Sequence, residues 1–180
     1  MSPLLAPLLT PLLALAIAAP DTFTATASAR IGSTSVQTAV TVTITRQSSN
    51  DEREAVAKAI RSGGTLALHT VLTGFADAGT IQVGERRTAI KFASERPTDS
   101  GRLVTIVTAD PIFYLGGGLP ESKPRAGYEV AVAMLVLQEG GGGTGELVPA
   151  ARVGLDKDGS LLIQDYGEAV MWLNAINAAK

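Results

Sequence analysis

The sequence predicts an α+β, mostly β fold: an antiparallel meander of about nine strands that forms a barrel or a sandwich, with one or two short helices inserted after the first hairpin. Short stretches of alternating apolar and polar residues recur along the chain, separated by short turns, which favours antiparallel pairing. Only one capped amphipathic segment interrupts them. With 180 residues, 46% of them hydrophobic, the chain has the length and apolar content of one domain with its own core.

The first hairpin is predicted by strict alternation. From Thr22 to Ile31 every second residue is apolar, and the residues between are mostly Thr and Ser. A period of two places all the apolar side chains on one face of a strand. After the turn at Gly32-Ser33-Thr34 the alternation resumes over residues 36–45, so the two segments are expected to pair.

The helical insertion begins with a capping box, in which Ser49 and Glu52 satisfy each other's backbone amides. An apolar stripe follows, and Gly63-Gly64 is expected to end the helix. Residues 65–73 fit either a second short helix or a buried strand. The stripe consists of Val56, Ala59 and Ile60.

The remaining strands are predicted over residues 80–83, 88–94, 103–108, 128–138, 146–155, 160–166 and 170–176, with turns at Gly140–Gly143 and Asp156–Gly159. Residues 128–138 are apolar at nearly every position, as expected for a strand covered on both faces. The substitutions Leu135→Asp and Val136→Asp are therefore each expected to destabilise the fold severely.

The first eighteen residues are uncharged, rich in Leu and Ala, and end in the small-x-small pattern Ala16-Ile17-Ala18. This predicts a signal peptide over residues 1–18, cleaved before Ala19, and a single secreted or periplasmic β-rich domain over residues 19–180 with no membrane span. The lack of Lys or Arg ahead of the apolar run is atypical of a signal, and so are the prolines within it. A retained membrane anchor is the alternative, and it requires an uninterrupted apolar helix.

Composition and motifs argue against most chemistries. Fifteen Lys and Arg against seventeen Asp and Glu provide no basic field for nucleic acid, and the absence of cysteine excludes a disulfide scaffold. His69 is the only histidine and no Gly-x-Ser-x-Gly motif is present, so the sequence predicts no catalytic residue, no metal site and no cofactor. The basic residues around residues 86–102 are interpreted as a solvated sheet edge, with an anionic-ligand face as the alternative.

Several short pieces in order resemble a family of short exported bacterial proteins of unassigned function, over about residues 22–180. The resemblance implies export and a single domain, and it supplies no functional residue. The pieces are Thr43-Ile44-Thr45-Arg46, Asp51-Glu52-Arg53 with Gly63-Gly64, Val107-Thr108-Ala109-Asp110-Pro111-Ile112, Gly145-Glu146-Leu147, Ala151-Arg152-Val153, Asp156-Lys157-Asp158-Gly159, and Asp165-Tyr166-Gly167 with Leu173-Asn174.

The function predicted from these observations is that of a non-enzymatic binding domain for an unidentified protein or small molecule. Long loops on rigid sheets often bind, and the only long irregular segment runs from Phe113 to Gly127. Two alternatives stay open: a hydrolase that uses the carboxylates of Asp165 and Glu168, and an envelope structural protein that assembles through strand edges. The candidate binding residues are Phe113, Tyr114, Lys123, Arg125 and Tyr128.

Overall fold

The computed structural model describes residues 19–31, 33–112, 125–140, 142–167 and 170–178. It contains nine strands and one helix in these ranges. In chain order they are β1 (Asp21–Ile31), β2 (Thr34–Ile44), α1 (Asn50–Thr73), β3 (Gly79–Val83), β4 (Arg86–Thr98), β5 (Gly101–Thr108), β6 (Val130–Gln138), β7 (Gly142–Leu155), β8 (Leu161–Asp165) and β9 (Met171–Ala178).

The strands form a closed antiparallel barrel, which confirms the predicted fold class and decides between barrel and sandwich. Strands β1 to β6 follow one another as neighbours, β6 pairs with β7, β7 with β9, and β9 with β1. Strand β8 is outside this ring and, among the described strands, pairs with the end of β7, where Leu155 lies opposite Leu161. The meander therefore departs from sequential order at this one point, because β9 takes the position beside β7.

The barrel interior is filled by the apolar residues that alternate with polar residues along each strand. Phe23 on β1, Val40 on β2 and Ile81 on β3 are each at most 2% exposed. Burying such side chains is the main favourable contribution to folding. The alternation read from the sequence therefore has its cause in the barrel, where one face of every strand must point inward.

Helix α1 packs on the outside of the barrel and creates a second apolar layer. Its capping box is present: the Glu52 amide donates to the Ser49 hydroxyl at 3.1 Å, and the Ser49 amide donates to the Glu52 carboxylate at 2.9 Å. The helix is kinked at Gly63-Gly64, where Gly64 has a φ of 63°. Residues 65–73 are helical, so the strand alternative is wrong. Helix residues Val56, Leu68 and Leu72 join Phe92, Val107, Val132 and Val148 of the barrel wall in this layer.

Strand β6 is covered on both faces over only part of its length, which corrects the prediction for Val136. Residues 130–133 are buried at every position. Further along the strand Leu135 points into the barrel and is 1% exposed, whereas Val136 points outward and is 43% exposed. Within the described residues, Val130 and Val132 of the outward face belong to the apolar layer formed with α1, and Val136 lies outside that layer.

Two other expectations are corrected. Strand β4 pairs with β3 on one side and β5 on the other, so its charged residues do not protect a sheet edge. Gly142 and Gly143, expected in a turn, are the first residues of β7. Within the described part of the chain, α1 does not offer the run of apolar residues that crossing a bilayer requires.

Candidate functional site

Two of the predicted binding residues, Arg125 and Tyr128, meet at the end of the barrel where β6 begins. The Tyr128 amide donates to the Arg125 carbonyl at 3.0 Å, and this turn brings the arginine side chain back over the tyrosine. The guanidinium carbon of Arg125 lies 3.7 Å from the centroid of the Tyr128 ring, and that of Arg152, on β7, lies 5.0 Å from it. Both distances are within the range of cation–π attraction.

Tyr128 is a fixed platform for these arginines. Its side chain is buried, and its hydroxyl donates to Oδ2 of Asp165 at 2.5 Å. The adjacent Gly127 has a φ of 88°, and a Cβ at this position would lie 3.2 Å from Nη2 of Arg152. Glycine thus supplies the backbone conformation and leaves room for the arginine. We call Arg125, Tyr128, Arg152 and Asp165 the Tyr128 cluster.

Asp165 is the hydrogen-bond acceptor of the cluster. The pKa of the Asp165 carboxyl is lowered chiefly by the hydrogen bond from the Tyr128 hydroxyl. The Gly167 amide, which donates to Oδ1 at 2.9 Å, lowers this pKa further, and so do the positive charges of Arg125 and Arg152. The carboxylate is therefore ionised at neutral pH with both oxygens engaged. A group in this state is poorly suited to donate a proton as a general acid.

A cleft of about 400 Å³ opens beside the Tyr128 cluster. Oε1 of Glu129 accepts from the Gly127 amide at 2.7 Å, whereas its Oε2 is buried and has no hydrogen-bond partner among the residues that the structure describes. The cleft therefore combines an arginine with acceptor groups. Its lining residues are His69, Asp110, Pro111, Arg125, Ala126, Tyr128 and Glu129.

Four other residues that the sequence suggested for binding or catalysis lie outside the described residues. They are Phe113, Tyr114, Lys123 and Glu168. The sequence did not indicate Arg152 and Asp165 as partners of Tyr128. The hairpin turn predicted at Asp156–Gly159 is a sequence signal that β7 and β8 lie side by side. It does not predict the contact between Arg152 and Asp165, because a register shift between Arg152 and Val153 places Arg152 opposite Asp165 and not opposite Gln164.

A second cleft, which no sequence pattern indicated, lies between the first half of α1, the outer face of β4 to β6 and the β7–β8 hairpin. It has a volume of about 380 Å³, and we call it the helix–barrel cleft. It is lined by Arg53, Val56, Ala57, Phe92, Ser94, Glu95, Arg96, Leu103, Thr105, Met134, Leu155, Asp156, Gly159, Ser160, Leu161 and Leu162.

Across the described ranges, the His, Asp and Glu side chains do not gather into a group of three suited to hold a metal ion. Comparison of the chain with family models, with curated proteins and with solved structures gives no significant match.

Proposed function

We propose that the protein is a non-enzymatic binding domain that recognises a carboxylate-bearing partner through Arg125 and Arg152. The observation that carries this proposal is the placement of both guanidinium groups against the buried Tyr128 ring. A guanidinium that rests on an aromatic face keeps its N–H edges available, and these edges match the two oxygens of a carboxylate. Among the described residues, neither side chain forms an ion pair or a hydrogen bond, so the donors are available to a ligand.

The residues that line the cleft beside the Tyr128 cluster indicate which chemical groups the partner presents. Glu129 and Asp110 provide acceptor oxygens in the cleft that Arg125 lines. A peptide fits this combination, because it presents backbone N–H donors beside an acidic side chain or terminus. We therefore propose an acidic peptide segment of a protein as the partner.

The hydrolase alternative receives less support from the geometry. Asp165, one of its two carboxylates, is occupied by the Tyr128 hydroxyl and the Gly167 amide. The assembly alternative also has little support, since barrel closure pairs β1 to β7 and β9 on both sides and β8 is a strand of only five residues.

The arginine pair is tested with short fluorescent peptides that contain Asp or Glu and with the same peptides carrying Asn or Gln. Arg125→Ala and Arg152→Ala are each expected to weaken binding of the acidic peptides about tenfold, because each removes a charge-assisted hydrogen bond worth about 1.5–3 kcal/mol. Fluorescence polarisation measures the dissociation constants.

Arg86→Ala is the matched control, since Arg86 is an exposed arginine at the β3–β4 turn and lines neither cleft. Equal affinity for the acidic and the amide peptides would contradict the proposal, and so would binding that both cluster variants leave unchanged. Hydrolysis of a peptide by the wild-type chain that Asp165→Asn abolishes would favour the enzyme instead.

We also propose that residues 1–18 are an export signal and that the mature protein is secreted or periplasmic. The first strand begins at Asp21, so cleavage before Ala19 leaves every described strand intact. Ala18→Leu is expected to block processing, because the peptidase pocket accepts only a small side chain at this position. Mass spectrometry of the exported protein should detect a chain starting at Ala19. A soluble exported chain that still starts at Met1 would refute the signal.

A further inference from the structure

We propose that the helix–barrel cleft binds a single-chain amphiphile with a carboxylate head group, such as a fatty-acid anion. The cleft shares no lining residue with the cleft beside the Tyr128 cluster. The inference is therefore independent of the peptide-binding proposal. It follows from the coincidence of an accessible apolar surface with two arginines that have no partner among the described residues.

The apolar surface is larger than the packing of the helix requires. Val56 of α1 and Phe92 of β4 are buried at the floor of the cleft. Five further large apolar side chains around them, on β5 to β8, are only half-buried. A cleft of about 380 Å³ lies within the size range of small-molecule sites. The five side chains are Leu103, Met134, Leu155, Leu161 and Leu162.

The charged groups of the cleft favour an anionic head group. Both acidic side chains are already engaged: Glu95 accepts from Arg102 at 2.8 Å, and Oδ1 of Asp156 accepts from the amides of Asp158 and Ser160 at 2.9 and 2.8 Å. The side chains of Arg53 and Arg96 have no ion pair or hydrogen bond with the described residues, although both line the cleft. The charged hydrogen-bond donors that the described residues leave available to a ligand are therefore the two guanidinium groups.

The two arginines also lie on different walls. Arg53 is on the first turns of α1, and Arg96 is on β4 beside Leu103 of β5. Arg53 also borders a shallower depression along α1, whose described lining residues mix acidic and basic side chains and include no large apolar group. A carboxylate near either arginine can direct its alkyl chain over the half-buried leucines, which a more polar anion would leave uncovered.

The test titrates dodecanoate, below its micelle concentration, into the full-length protein at low ionic strength, and measures heat by calorimetry. Saturable binding is expected, whereas dodecyltrimethylammonium, with a similar chain and the opposite charge, should bind at least about tenfold more weakly. Arg53→Gln and Arg96→Gln should each weaken dodecanoate binding about five- to tenfold. Ala57→Phe should abolish binding by filling the cleft from the helix side.

Arg86→Gln is the control for loss of one positive charge, and it should leave dodecanoate binding unchanged, because Arg86 does not line the cleft. Thermal melts of each variant establish that the fold is intact. The inference is overturned if folded wild-type protein does not bind dodecanoate, if the cationic amphiphile binds as well, or if folded Ala57→Phe binds undiminished. Wild-type protein that binds dodecanoate but none of the acidic peptides would refute only the peptide proposal.

Discussion

Leu135→Asp is expected to unfold the protein at room temperature, whereas Val136→Asp is expected to leave it folded. Leu135 is 1% exposed inside the barrel, where a carboxylate has no partner and costs several kcal/mol. A domain of this kind is stable by only about 5–15 kcal/mol, so one such group removes much of that margin. Val136, next along the same strand, is 43% exposed, and its aspartate would stay in water.

Circular dichroism and urea titration measure the two stabilities. Leu135→Ala provides a graded control, with an expected loss of about 2–5 kcal/mol from the cavity that it leaves. If both aspartate variants lose a similar, large part of the free energy of unfolding, a further element covers the outer face of β6. If both variants keep the wild-type free energy of unfolding, the interior of the barrel admits water.

Gly79→Ala is expected to reduce the free energy of unfolding by about 3 kcal/mol or more, which lowers the melting temperature by roughly 6 to 12 °C. Gly79 begins β3 between Ile44 of β2 and Ile90 of β4. Its φ of 156° is rarely adopted by residues with a side chain, and an added Cβ would overlap the Thr43 carbonyl oxygen and lie 3.0 Å from the Ile44 Cα. The backbone of β2 would have to move away.

Gly142→Ala is the matched control, because Gly142 also begins a strand but has open space where the Cβ would lie. This variant should melt at the wild-type temperature or slightly above, since alanine reduces the entropy of the unfolded chain. Differential scanning calorimetry compares the two. Equal melting temperatures would show that the β2–β3 pairing adjusts without loss of hydrogen bonds.

The fold was largely predictable because its signals are local. Alternation indicated β1 and β2, and short turns indicated antiparallel neighbours, as the barrel has them. The Ser49–Glu52 capping box located the start of α1 to the residue. Residues 65–73 stayed ambiguous, since an apolar run of this length suits a helix or a strand until it packs against something.

The candidate site was only half predictable. The sequence indicated Arg125 and Tyr128 through the long segment before β6, but Arg152 and Asp165 reach Tyr128 through the β7–β8 hairpin. That contact depends on a register shift at Arg152, which no local pattern reveals. Phe113, Tyr114 and Lys123 remain predictions, as do the export signal and the resemblance to a family of exported proteins.

The sequence by itself determined which residues share a face of each strand and where the helix begins, because periodicity and capping act over a few residues. Only the tertiary structure decided which of those faces are covered. Leu135 and Val136 are adjacent apolar residues in the sequence, and they differ in exposure because α1 covers only part of the barrel wall. The same incomplete cover leaves the helix–barrel cleft accessible beside Arg53 and Arg96. Closure of a barrel and docking of a helix depend on contacts between distant segments, and these set the burial and the available charge from which the proposed functions were inferred.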